Sequence, residues 1–127
     1  MTEAIETLTT GALSLALDAA SMRQQAIAAN IANTNTPGYL PIRVNFEAQL
    51  EDARRALESN GQLDSQALAG VTPRFEADID SGGLSPKVRL DVEMANMTQN
   101  AVQYQALLKG LAKHYAILST AVNDGRK

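Results

Sequence analysis

Apolar side chains recur at alternating spacings of three and four through the last third of the chain, at Met94, Met97, Ala101, Tyr104, Leu108, Leu111, Tyr115, Leu118 and Val122. This 3.5-residue period predicts a long helix that packs along a partner helix. Asp91 and Glu93 stand at its front, where carboxylates suit the positive end of the helix dipole, and Lys109, Lys113 and His114 lie in its second half. A helix from Asp91 to Asn123 would be about 50 Å long at about 1.5 Å per residue. The first third repeats the theme more softly. Ile5, Leu8, Ala12, Leu15, Ala19, Met22, Ala26 and Ala29 form one heptad row, and Leu13, Leu17, Ala20, Ile27 and Ile31 add apolar positions on another side. A helix apolar on more than one side needs more than one neighbour. A two-helix hairpin that shares one seam and an assembly with further helices both satisfy the heptads.

The middle is different. Phe46, Leu50, Ala53 and Leu57 share one face of a short amphipathic helix predicted over Phe46 to Glu58, with Asn45 as its cap, a Glu51–Arg55 pair along it and Gly61 at its end. From Gln62 to Lys87 the periodicity fades among Gly70, Pro73, Gly82, Gly83 and Pro86, which predicts irregular chain. Val71 to Ile79 is the one candidate strand. The predicted fold is therefore mainly α, with long N- and C-terminal helices in a coiled-coil-like antiparallel pair around a short helix and an irregular charged segment. Its boundaries fall at residues 1–43, 44–90 and 91–127.

Charge follows the same division. Thr7 to Ile42 carries only Asp18 and Arg23, Phe46 to Glu93 carries ten acids and five bases, and Met94 to Asn123 carries only Lys109 and Lys113 beside His114. Charges avoid surfaces that become buried unless they are paired, so the ends read as buried and the middle as solvated. The 45% hydrophobic content overstates the core, since 21 of the 127 residues are alanine and aromatic residues make up 4%. A net charge of −3 gives no reason to expect nucleic acid or an anionic membrane surface. Cysteine is absent, which removes disulfides and thiolate sites. Glu3 and Glu6 stand where a secretory signal would be basic, so no cleaved signal peptide is expected.

The most specific local feature follows the first helix: Asn30-Ile31-Ala32-Asn33-Thr34-Asn35-Thr36-Pro37-Gly38-Tyr39. Asn33 or Asn35 can end a helix by adopting left-handed backbone. Pro37 disfavours helix at Thr36, and Pro37-Gly38 suits the centre of a type II turn in which Gly38 takes positive φ. Tyr39 is then placed to anchor the reversed chain against the helix.

These residues resemble the N-terminal signature of the bacterial flagellar rod and hook protein family. The likeness continues through Asn45-Phe46-Glu47 to Leu50, and through Val88, Leu90, Asp91, Glu93, Met94, Asn100, Tyr104 and Gln105 at the entry to the last helix. Its two ends match the proximal-rod members best; hook and distal-rod relatives carry a β-domain for which this length leaves no room. Ser85-Pro86-Lys87 stands where members usually carry a Gly-Asn-Asn-like tract. The resemblance implies a structural subunit of the basal-body rod, exported by the flagellar type III apparatus without cleavage. It implies other copies of the chain, other rod proteins, the basal-body adaptor and the export gate as partners. Asn30, Ile31, Ala32, Asn33, Thr36, Pro37, Gly38 and Tyr39 form its motif. The assembly seam expected from the heptads comprises Leu8, Leu15, Met22, Ile27, Ile31, Met97, Tyr104, Leu108, Leu111, Tyr115, Leu118 and Val122.

Chemistry finds little support. His114 is the only histidine and reads as a helix-face residue without a nucleophile to serve. Glu76, Asp78 and Asp80 alternate along a polar stretch but lack the fixed pattern of a calcium loop. Ser81-Gly82-Gly83 lacks the lysine of a phosphate loop. No enzyme activity, cofactor, metal, nucleic acid or small-molecule substrate is expected. The alternative from another class is a soluble helical regulator or chaperone-like binding module that uses the same seams.

Overall fold

The structure, a computed structural model, describes residues 2–60, 68–79 and 87–126. Helix α1 (Thr2–Ala32) leads to strand β1 (Ile42–Asn45), helix α2 (Glu47–Asn60), strand β2 (Arg74–Ala77) and helix α3 (Leu90–Asp124). The mainly α architecture with two long terminal helices is the one the heptads predict.

Helix α1 is the centre of the molecule because both of its apolar rows find cover within the chain from Leu13 onward, whereas Ile5 and Ala12 near its start are exposed. On one side Ala19 and Ala26, with Leu15 and Met22, pack against Val44, Phe46, Ala53 and Val71. Alanine at these positions lets the small middle layer approach the helix backbone closely. On the other side lies the row Leu13, Leu17, Ala20, Gln24, Ile27 and Ile31, all buried or half-buried. Ala20 and Gln24 of this row contact Asn100 of α3. The two neighbours that α1 requires are thus the middle layer and α3.

The middle layer is more ordered than its sequence suggests. β1 and β2 form an antiparallel ribbon with Ile42 opposite Ala77 and Val44 opposite Phe75. The irregular reading of this stretch is corrected at Arg74–Ala77, inside the candidate strand Val71 to Ile79. The physical reason is a partner brought from far away: the Pro37-Gly38 turn delivers β1 alongside, and pairing supplies hydrogen bonds that no local pattern announces. α2 starts and ends within two residues of its predicted bounds, and Phe46 and Ala53 are buried as expected. Leu50 remains exposed. Asn45 does not serve as the cap; its amide donates to Glu76 Oε1 across the ribbon at 2.7 Å. Gln49 ties α2 to the strand that follows, accepting from Thr72 N at 2.8 Å and donating to Thr72 O at 2.9 Å. Glu51 pairs with Arg55 at 3.6 Å and more closely with Arg54 at 2.7 Å. Gly61 lies outside the described residues.

α3 runs antiparallel to α1, since Glu93 meets Asn30 while the later Asn100 meets the earlier Ala20 and Gln24. It touches α1 along one strip only. Between Glu93 and Leu118 the residues that are not exposed are Glu93, Met97, Asn100, Leu107, Leu111, His114 and Leu118, a heptad row with Tyr104 at its margin. This seam shares Met97, Leu111 and Leu118 with the expected one but is rotated by one position. A single narrow helix covers only one strip of its partner, and the strip covered here is the one on which Asn100 hydrogen-bonds to Ala20 and Gln24. The other half of the predicted row, Met94, Ala101, Leu108, Tyr115 and Val122, flanks this seam and stays exposed.

Candidate functional site

Two features stand out: the turn that closes α1, and the outer row of α3. In the turn, Asn30 is the node. Its side chain is 2% exposed and all of its hydrogen-bonding capacity is engaged. Nδ2 donates to Ile42 O at 2.9 Å and to Glu93 Oε1 at 3.3 Å. Oδ1 accepts from Tyr39 Oη at 2.9 Å and from Ile42 N at 2.9 Å. One amide therefore joins α1, the turn, the first residue of β1 and the first turn of α3. It pairs with Ile42 as a neighbouring strand would.

The surrounding motif holds that geometry. α1 stops through side-chain caps: Asn33 Nδ2 donates to Ala29 O at 2.9 Å, and Thr34 Oγ1 donates to Ile31 O at 2.8 Å. The expected left-handed asparagine is not used, because these side-chain bonds satisfy the last carbonyls; among the described residues only Gly38 has positive φ, at 75°. Thr36 N donates to Asn33 O at 3.0 Å, and Tyr39 N donates to Thr36 O at 3.2 Å, closing the Pro37-Gly38 turn as predicted. Tyr39 anchors the reversed chain on α1 through Asn30. Ile31 is half-buried and Ala32 is the exposed last residue of α1.

Electrostatics mark the same point. Burial pushes the Glu93 carboxyl above its ordinary value, the Asn30 hydrogen bond opposes that rise, and the nearby Asp78 charge adds to it. Burial, and after it the Glu93 charge, raises the Tyr39 hydroxyl. Beside the node opens a cleft of about 390 Å³, bordered by α1, β1 and the front of α3. Its charges include Arg23, paired with Glu47, and Arg43, which meets Asp78 at 3.7 Å. The acids of the polar stretch thus serve the ribbon: Glu76 holds Asn45 and Asp78 holds Arg43, while Asp80 and Ser81-Gly82-Gly83 lie outside the described residues. Among the described residues no group of three or more His, Asp or Glu stands close enough to hold a metal ion.

The outer row of α3 is the second feature. Met94, Leu108, Tyr115 and Val122 are between 48% and 58% exposed, and Ala101 lies open among them. Val102 and Ile117 flank the row and are also exposed. Of the expected seam, the structure places Leu15 and Met22 against the middle layer, with half-buried Leu8 seven residues earlier on the same row. It places Ile27 and Ile31 on the α3 side of α1, and Met97, Leu111 and Leu118 on the α1 side of α3. Tyr104 stands at the edge, and Leu108, Tyr115 and Val122 remain open. The structure does not bring these residues into one surface. Asn30 and Asn100 as hydrogen-bonding nodes are not visible in the periodicity, since neither lies on a predicted apolar row; the available signal is that both belong to the segments that carry the family resemblance. No described helix is long and apolar enough to cross a membrane.

A family model described as flagella basal body rod protein matches residues 12–39, the last two thirds of α1 and the turn. Over most of its length the chain is similar to the flagellar basal body rod protein FlgB of Escherichia coli, 30% identical over 123 residues that span 87% of this chain and 89% of that protein. The FlgB of Bacillus subtilis is 29% identical over 87% of this chain and 90% of its own length. That of Proteus mirabilis is 32% identical over 72% and 76%. The relatives match most of the chain, and the chain belongs to the flagellar basal-body rod protein family, in its FlgB branch.

Proposed function

We propose that this chain builds the rod by burying the outer row of α3 against neighbouring subunits, while the turn clasp keeps the middle layer fixed on α1. As a FlgB-like protein it is a structural subunit of the proximal rod in the flagellar basal body, a part of the drive-shaft between motor and hook. The observation that carries the assembly reading is the line Met94, Ala101, Leu108, Tyr115 and Val122, apolar and uncharged at heptad spacing and left open by the fold of a single chain. Exposed apolar rows of this length mark interaction surfaces, because water disfavours them and charges have been kept away. Other copies of the chain and other rod proteins are the neighbours that cover it, and the basal-body adaptor and type III export gate lie at the rod's base. The chain reaches that place by flagellar export, and the rod it forms spans the periplasm. The charged middle layer faces outward or toward other rod components. The alternative of a soluble helical regulator or chaperone-like module gains nothing from the relatives.

The test is complementation of a strain that lacks the protein. Leu108→Asp places a charge in the outer row without touching the seam on α1. The expected result is a subunit with unchanged helicity and no motility, with basal bodies that stop before the rod. Wild-type swimming by the Leu108→Asp strain would overturn the reading.

A further inference from the structure

We infer that Asn100 and Glu93 fix the axial register of α3 on α1, a role that the apolar residues of the seam do not perform. The seam repeats on both sides. On α1 the row is Leu13, Leu17, Ala20, Gln24, Ile27 and Ile31; on α3 the apolar members are Met97, Leu107, Leu111 and Leu118. Apolar contact is non-directional, so sliding α3 by seven residues re-forms it with little change. That slide moves the helix by about 10 Å at about 1.5 Å per residue.

The polar contacts do not repeat. Asn100 is 3% exposed and is the only buried residue of α3. Its Nδ2 donates to Ala20 O at 2.9 Å and to Gln24 Oε1 at 2.9 Å. One heptad earlier on the same strip, Glu93 accepts from Asn30 Nδ2. A slip in one direction carries Asn100 to the level of Leu13 and Leu17 and sets the Glu93 carboxylate against the Ala20 carbonyl, an acceptor facing an acceptor. The opposite slip removes both Asn100 bonds, moves Asn100 into the place of Glu93 beside Asn30, and sets Leu107 against the Gln24 side-chain oxygen. The Asn100 oxygen is buried without a partner even here, but the observed alignment is the one that pairs both the Asn100 amide nitrogen and the Glu93 carboxylate. Buried polar groups left without partners are penalised far more than a repacked leucine. This inference deepens the assembly reading, since register sets where the outer row of α3 stands relative to the middle layer.

The experiment measures the distance between spin labels on Ala12→Cys and Ala95→Cys, both at exposed positions of a chain that has no native cysteine. Labelled full-length chain is diluted into unlabelled chain, so only distances within one molecule are read. The parent should give one distance. Asn100→Leu combined with Glu93→Leu should keep its helicity and add a second population displaced by about 10 Å, one heptad of rise. Asn100→Gln, which keeps the amide, should retain the single distance. A folded double variant with only the parent distance would overturn the inference. If the double variant fails to fold, Asn100→Ala is read instead: a second distance supports the inference, and a single distance or a second failure to fold overturns it. The readout needs no assembly, so it stands apart from failure of the rod reading, which complementation detects.

Discussion

At the scale of residues, two asparagines carry what is specific in this molecule. Asn30 satisfies its own amide completely and, in doing so, satisfies the backbone of Ile42 and the hydroxyl of Tyr39. Replacing it with alanine leaves those groups without partners, at about 1–3 kcal/mol for each one that water cannot reach. Asn30→Ala should therefore destabilise the subunit by about 3 kcal/mol, read as a lower midpoint in urea with the slope unchanged. Glu93 adds a dependence on pH. Its carboxyl is raised by burial, so the folded state holds a proton in a range where the unfolded chain has released it. Its contribution to stability is present below the ordinary carboxyl value and is lost as pH rises through the folded one. Glu93→Gln removes that contribution. The melting temperature of the parent relative to Glu93→Gln should therefore fall as pH rises from the acid side toward neutrality. Taking the difference cancels opposing groups such as Glu51, whose carboxyl Arg54 holds below its usual range.

At the scale of elements, much was legible and the exceptions share a cause. The long helices follow from heptads that continue through α1 and α3. The turn follows from Pro37-Gly38, whose backbone needs are local and unambiguous, and Gly38 takes the positive φ that such a turn demands. Misreadings arise wherever a residue's role is decided by something distant in sequence. β1 is four residues long and is a strand only because Arg74–Ala77 lies beside it. Asn45 looks like a cap until Glu76 is placed across from it. The rotation of the α3 seam belongs to the same class: periodicity gives the width of an apolar stripe but not which edge meets the neighbour. Val102 and Ile117 widen that stripe beyond what one partner covers. Asn100, which hydrogen-bonds across the observed seam, lies beside the predicted apolar row and not on it, so periodicity gives it no role.

At the scale of the whole molecule, the terminal helices divide their apolar surface unequally. From Leu13 onward α1 is covered on both rows by its own chain, whereas among the described residues α3 packs chiefly on α1 and keeps an open side. Among the described residues the buried hydrophobic core is mostly small side chains, with Phe46 its only aromatic. A subunit of this kind holds its shape through a modest core and a polar clasp, and leaves its largest apolar stripe for others to cover. The most direct measurement of that claim is the reactivity of a single thiol at Leu108→Cys toward a maleimide, compared between the free subunit and isolated basal bodies. The thiol should react readily in the free subunit, where Leu108 is 48% exposed, and be protected in the basal body. Equal reactivity in the two states would contradict the account.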